Sequence, residues 1–194
     1  MILNELRPEW RSLAIHESSP DRTRGISKKL LDAPGYIASQ YFPDRQPGEI
    51  VWDVFRNENL EAMTFKDEQF DLTISLDVME HVFEPEQAFK EIYRTLKPGG
   101  LYICTFPVRN YQVQAMERRC VMLPDGTRRD LKEPEIHGNP IGDGSIVTVD
   151  WGYNLHQLIA TWVPMDVRVC RFDDATHGVI GEYTEVIVCR KQER

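Results

Sequence analysis

An open α/β fold with a largely parallel sheet is the architecture this sequence predicts. Three observations carry it. Residues 11–15, 23–31 and 36–42 read as strand, helix and strand, the pattern of a parallel βαβ unit. Residues 70–76 (FDLTISL) form an apolar run of strand length, followed by one apolar helical face and a further strand at 101–107. Two strand-like runs, 167–172 and 184–190, close the chain around a loop holding Gly178 and Gly181.

Each element has a local reason. The run RSLAI at 11–15 is apolar and stops at His16-Glu17-Ser18-Ser19-Pro20, which reads as a loop. Ile26, Leu30 and Leu31 at helical spacing make 23–31 a helix, and Ala33-Pro34-Gly35 breaks it. Residues 36–42 alternate as a second strand closed by Pro43, and 50–55 make a short third. After FDLTISL, residues 77–83 are a turn or short helix. Pro85 suits a first helical turn, where its missing N–H costs nothing. Ala88, Phe89, Ile92, Tyr93 and Leu96 share one face of the helix that follows, and Pro98-Gly99-Gly100 stops it.

Residues 109–147 break this rhythm, being polar, rich in Arg, Gly and Pro, and nearly aperiodic. A long irregular segment inside a compact domain is a lid, a binding loop or disorder. A helix over 151–162 then carries Leu155, Leu158, Ile159 and Trp162 on one face.

Composition narrows the class. The 194 residues suffice for one domain with a real core, so 1–194 is read as a single domain with 109–147 as an insertion. Apolar residues at 41% and charged residues at 28% are a globular mixture. No apolar run is long enough to span a bilayer, and the first ten residues lack the apolar stretch of a secretion signal. The expectation is a cytoplasmic protein that meets no membrane. A net charge of −8, with basic clusters only at Lys28-Lys29, Arg118-Arg119 and Arg128-Arg129, argues against nucleic acid. Cys104, Cys120, Cys170 and Cys189 contain no C-x-x-C pair, and reduced thiols without a bound metal are expected.

The run FKDEQFDLTISLDVMEHV, continued by FEPEQAFKEIYRTLKPGGLYICTFP, resembles the class I methyltransferases and in particular their broad type-11 group. Several linked blocks in order make this more specific than a lone glycine motif. The resemblance implies a Rossmann-like, doubly wound seven-stranded sheet of order 3-2-1-4-5-7-6 with strand 7 antiparallel, and S-adenosylmethionine as cofactor. Family members place helices before the first strand. With so short a lead here, the chain is either a fragment or lacks that covering. The sequence is also similar to a subgroup of methyltransferase-like proteins in which HESSP replaces the family's G-x-G-x-G run.

Candidate cofactor-binding residues follow from that correspondence. They are His16, Glu17, Ser18, Ser19 and Gly25 around the first strand end, Ser39, Gln40 and Tyr41 at the second, Asn59 and Leu60 beside the adenine, and Leu76 and Asp77 after the fourth strand. Ser18 and Ser19 offer hydroxyl and N–H donors to a carboxylate, and Glu17 an acceptor to an ammonium. The same loop would equally serve to turn the chain and cap a helix. Gln40 stands where the family places an acidic ribose ligand, and a neutral amide is the weaker acceptor. His81, in E-H-V, and His137, in the insertion, are the candidate catalytic residues, since imidazole titrates near neutrality. Their plainer roles are a helix-end residue and a surface residue.

The reading is methyl transfer from S-adenosylmethionine to a small polar acceptor, a sugar or sugar-linked metabolite among the possibilities. The insertion would be a lid, with His137, Asn139, Tyr111, Arg118 and Arg119 facing the acceptor. The rival is a degenerate methyltransferase fold acting as a binding or scaffold module, favoured by the missing glycine run and acidic residue. A nicotinamide oxidoreductase is excluded by the absence of G-x-G-x-x-G after the first strand. An exocyclic-amine methyltransferase is excluded by L-D-V-M-E where an N/D-P-P-Y motif would stand.

Overall fold

The computed structural model describes residues 2–23, 25–109, 114–138, 142 and 144–193. In chain order these form α1 (Ile2–Leu6), β1 (Ile15–Ser18), α2 (Gly25–Leu30), β2 (Tyr36–Gln40), β3 (Ile50–Val51), β4 (Phe55–Asn57), β5 (Phe70–Leu76), α3 (Pro85–Thr95) and β6 (Leu96–Thr105). The inserted strands β7 (Glu117–Arg118), β8 (Cys120–Met122), β9 (Arg128–Asp130), β10 (Ile136–His137), β11 (Ser145–Ile146) and β12 (Val149–Asp150) come next. The chain closes with α4 (Leu155–Trp162), β13 (Met165–Arg171) and β14 (Glu185–Lys191).

One eight-stranded sheet runs in the order β13-β14-β6-β5-β1-β2-β4-β3. Strands β6, β5, β1, β2 and β4 are mutually parallel, while β14 is antiparallel to both β6 and β13. With β4 as third strand, this is the expected 3-2-1-4-5-7-6 order. The extra strand arises because 50–55 is not one strand but the two arms of a hairpin. Trp52 and Asp53 at its tip have φ near +54° and +55°, and β3 returns antiparallel along β4 as a new sheet edge.

The first strand also differs from expectation. Residues 10–12 form a single helical turn, and β1 begins at Ile15, so His16, Glu17 and Ser18 are central strand residues instead of a loop. Parallel neighbours on both sides bury all four of its residues, which forces the polar ones to find partners inside.

Strict alternation divides the two faces. Tyr102 and Cys104 of β6 and Ile187 and Cys189 of β14 point toward α3, α4 and the fully buried Trp151. Leu101, Ile103 and Val188 point the other way, joining Leu3, Trp10 and Leu30 beneath α1 and α2. Helices therefore cover both faces. Pro85 sits in the first turn of α3 as expected. The four cysteines are free thiols, three of them buried. Among the described residues no helix is long and apolar enough to cross a membrane.

The insertion is more ordered than its composition suggested. Its described residues form three two-stranded antiparallel ladders, β8–β9, β10–β11 and β7–β12. It leaves and rejoins the core at one place, where Val108 bridges Trp151 and the Arg109 N–H donates to the Trp151 carbonyl at 2.9 Å. Consequently the helix expected from 151 begins only at Leu155. Buried Asp150 gathers Arg109 at 3.1 Å, Arg119 at 3.1 Å and Lys132 at 2.8 Å, which ties the hairpins together. Tyr111 and Asn139, expected on the acceptor side, lie outside the described residues.

Candidate functional site

The strand order reverses between β1 and β5, and the crevice beyond the carboxyl ends at such a reversal is where open α/β sheets bind ligands. Ser19, Tyr41, Leu76 and Asp77 stand at those ends. Tyr41 is 52% exposed and Leu76 38%. Asp77 is exposed in a left-handed conformation, φ +54°, with its N–H on the Thr105 carbonyl at 2.9 Å and its carboxylate accepting from the Thr105 hydroxyl at 3.0 Å. This pins the sharp exit from β5. A Cβ built on Gly25 would meet no atom within 4 Å, so the ground beside the β1 end is open.

The other candidates are turned inward. His16 is fully buried, its Nε2 at 2.8 Å from the Ser39 hydroxyl and its ring packed on Phe65 and Phe70. Desolvation holds it neutral, its pKa lowered to about 3. Glu17 accepts from the Ser27 hydroxyl at 2.6 Å and the Tyr36 hydroxyl at 2.7 Å, and burial raises its pKa despite both bonds. Ser19, with φ +56°, donates to the Gln40 amide oxygen at 2.9 Å. One acceptor site of that amide is therefore already used. Ser18 is buried within β1. Asn59 accepts from the Glu61 N–H at 2.9 Å in a local turn, and Leu60 is a core residue. The neighbouring Asn57, not singled out from the sequence, ties down the loop after β2. It accepts from the Phe42 N–H and donates to the carbonyls of Phe42, Arg45 and Gln46.

On the acceptor side the structure joins what the sequence held apart. A helical turn over Met79–His81 follows β5, and β10 brings His137 onto it. The two imidazole rings lie 5.4 Å apart at 89°. His81 Nδ1 is 2.8 Å from the Ile146 carbonyl, and His137 Nε2 is 3.0 Å from Glu135. Glu80 lies between them, buried, and burial raises its pKa to about 8. Burial lowers that of His81, the Ile146 carbonyl working against it. Thr148 fixes the turn from the insertion, its N–H on the Glu80 carbonyl at 2.7 Å and its hydroxyl on the Val82 carbonyl at 2.5 Å. Arg118 reaches the Phe83 carbonyl and the Glu84 carboxylate. Glu80 and Thr148 were not assigned roles from the sequence, since no spacing links them to His137.

A largely parallel sheet with this order, covered by helices on both faces, is the class I methyltransferase fold. The sequence model of the family described as a methyltransferase domain matches residues 34–104. Over that segment the chain matches the methyltransferase-domain family, and its fold is that of the class I S-adenosylmethionine-dependent methyltransferases.

Among curated proteins, it is 37% identical over 78 residues to the ubiquinone biosynthesis O-methyltransferase of Ruegeria pomeroyi, covering 38% of this chain and 32% of that one. To the enzyme of the same name from Cereibacter sphaeroides it is 39% identical over 62 residues, 32% of this chain and 25% of that one. The similarity thus spans about a third or less of those relatives' length.

Solved structures match over nearly the whole chain. An S-adenosylmethionine-dependent methyltransferase from Mesorhizobium loti superposes with a TM-score of 0.61 at 13% identity, covering 97% of this chain and 95% of that one. The [4+2]-cyclase SpnF gives 0.60 at 13% identity, covering 100% and 80%. Burkholderia thailandensis 1,6-didemethyltoxoflavin-N1-methyltransferase, with S-adenosylhomocysteine bound, gives 0.55 at 12% identity, covering 97% and 78%. At such identities the likeness speaks for the fold. The cyclase shows that the fold alone does not fix the reaction.

Proposed function

We propose that this chain transfers a methyl group from S-adenosylmethionine to an oxygen of a small polar acceptor. The observation that carries the reading is the reversal of strand order between β1 and β5, with Tyr41, Leu76 and Asp77 exposed at the strand ends and Glu80 and His81 on the turn that follows β5. The relatives are named for O-methylation, which supports oxygen as the acceptor atom; none of those cited is named for a sugar.

The cofactor's contribution is an electrophilic methyl on a sulfonium. The residues fit such a group in part. Gly25, Tyr41, Leu76 and Asp77 leave the strand ends open, and the main chain of 18–19 would meet the methionine portion. His16, Ser39 and Glu17 would act from behind by holding β1 and β2, because His16 bonds Ser39 and Glu17 bonds Ser27 of α2 and Tyr36 of β2. The run Ser39-Gln40-Tyr41 at the β2 end carries no carboxylate, so ribose would meet Gln40 and Tyr41 there. His81 and His137 would stand on the acceptor side and orient its hydroxyl. The docked insertion would cover the acceptor and keep water out, and holding reactants in line is worth up to about 7–11 kcal/mol in favourable systems.

A non-catalytic scaffold is the second reading, and the side-chain-filled β1 end favours it. Titration calorimetry with S-adenosylmethionine and S-adenosylhomocysteine, followed by methyl transfer to a panel of hydroxylated acceptors, separates the two. Binding with turnover supports the enzyme. Binding without turnover on any acceptor, or no binding by folded protein, supports the scaffold and overturns the methyl-transfer reading.

A further inference from the structure

We propose that Glu80, His81 and His137 form a binding site for a divalent transition-metal ion of the zinc class, with one position left open. One ligand atom from each residue lies within 4.8 Å of the other two. Glu80 Oε1 is 3.7 Å from His81 Nε2 and 3.9 Å from His137 Nδ1. Around a tetrahedral ion with bonds near 2.0–2.2 Å, adjacent ligand atoms stand about 3.4 Å apart. Two of the three separations therefore need to close by only a few tenths of an ångström.

The hydrogen bonds decide which atoms face the centre. The Ile146 carbonyl can only accept, so His81 Nδ1 carries the proton and Nε2 presents its lone pair. The Glu135 carboxylate holds the proton of His137 on Nε2, leaving Nδ1 as the lone pair. Two imidazole lone pairs and a carboxylate thus converge on one point. Glu80 is 2% exposed, and neither of its oxygens has a hydrogen-bond partner among the described residues. A cation at that point would engage all three ligand atoms at once. A carbonyl or carboxylate behind each ligating histidine is how metal sites fix tautomer and ring orientation. Two imidazoles and one carboxylate suit zinc over magnesium or calcium, which prefer oxygen ligands. Three protein ligands leave a fourth position for water or an acceptor oxygen, as in catalytic zinc sites. Only the role of that fourth position rests on the proposed methyl transfer; metal binding stands without it.

The test uses the 194-residue chain freed of metal by a chelator and then titrated with Zn²⁺ in calorimetry and with Co²⁺ by visible absorption. One equivalent should bind, and Co²⁺ should give the intense bands of a four-coordinate site. Glu80→Gln, nearly isosteric, and His137→Ala should each weaken binding at least about 100-fold, and Glu135→Gln by about 10-fold through the His137 ring. Circular dichroism and thermal melting establish that each variant is folded. Glu135→Gln leaves all three ligands in place and serves if a ligand variant does not fold. No binding by folded wild-type chain at micromolar metal overturns the proposal, as does unchanged affinity in the folded variants. Either result leaves the cofactor titration untouched.

Discussion

Replacing His16 by glutamine should remove a defined part of the protein's acid sensitivity. In the unfolded chain the imidazole takes its proton near pH 6.5, whereas burial against Phe65 and Phe70 lowers that point to about 3 in the fold. Between those values the unfolded chain binds the extra proton, so stability falls as pH falls. The contribution is fully present above about pH 6.5 and gone below about pH 3. A gap of about 3.5 pH units corresponds to about 5 kcal/mol at the acid limit, comparable with the whole stability of a modest domain. Glu17 and Glu80, whose pKa values are raised, act in the opposite sense, so the informative quantity is the wild-type–variant difference. Glutamine cannot titrate and can still reach the Ser39 hydroxyl. Urea unfolding followed by tryptophan fluorescence, from about pH 8 to about pH 4, measures that difference. At the upper end His16→Gln should be less stable by about 1–3 kcal/mol, having lost its ring contacts. Below about pH 6.5 the wild-type advantage should shrink by about 1.4 kcal/mol per pH unit and then reverse. A difference that stays constant across the range would refute the idea of a desolvated neutral imidazole.

Two mutations probe how the framework holds the site. Asn57→Ala removes a buried amide that accepts from the Phe42 N–H and shares its two protons among the Phe42, Arg45 and Gln46 carbonyls, and should cost about 2–4 kcal/mol, read as a lower thermal midpoint by calorimetry. Asp150→Ala leaves Arg109, Arg119 and Lys132 without their shared buried carboxylate and should cost about 3–5 kcal/mol. Hydrogen exchange should accelerate first across β7 to β10; acceleration confined to the main sheet would contradict the assignment of that network to the insertion.

The sheet was legible because its cues are local. FDLTISL is too apolar for anything but a central strand, and Pro85 marks the start of α3; the helix ends at Thr95, before Pro98-Gly99-Gly100, which with Leu96 lies within β6 instead of closing the helix. The linked blocks at 65–107 then carried the strand order by resemblance. Local cues misplaced β1 because its polar residues looked solvated: His16 and Glu17 are strand residues only because β2 and β5 flank them and Ser39, Ser27 and Tyr36 complete their hydrogen bonds. The hairpin at 50–57 escaped for a similar reason, since Trp52 and Asp53 turn the chain without a glycine.

What the sequence determined by itself was the periodicity of the core and the segment that marks the family. Only the tertiary structure decided the polar site. Glu80 and His137 are separated by the whole of α3, β6 and the first hairpins, and no spacing rule relates them. They meet because the Val108–Trp151 bridge closes the insertion on itself, while Thr148 and Ile146 dock its return onto the turn after β5. Such a contact is set by loop closure and hydrogen-bond satisfaction at long range, which leave no local pattern in the chain.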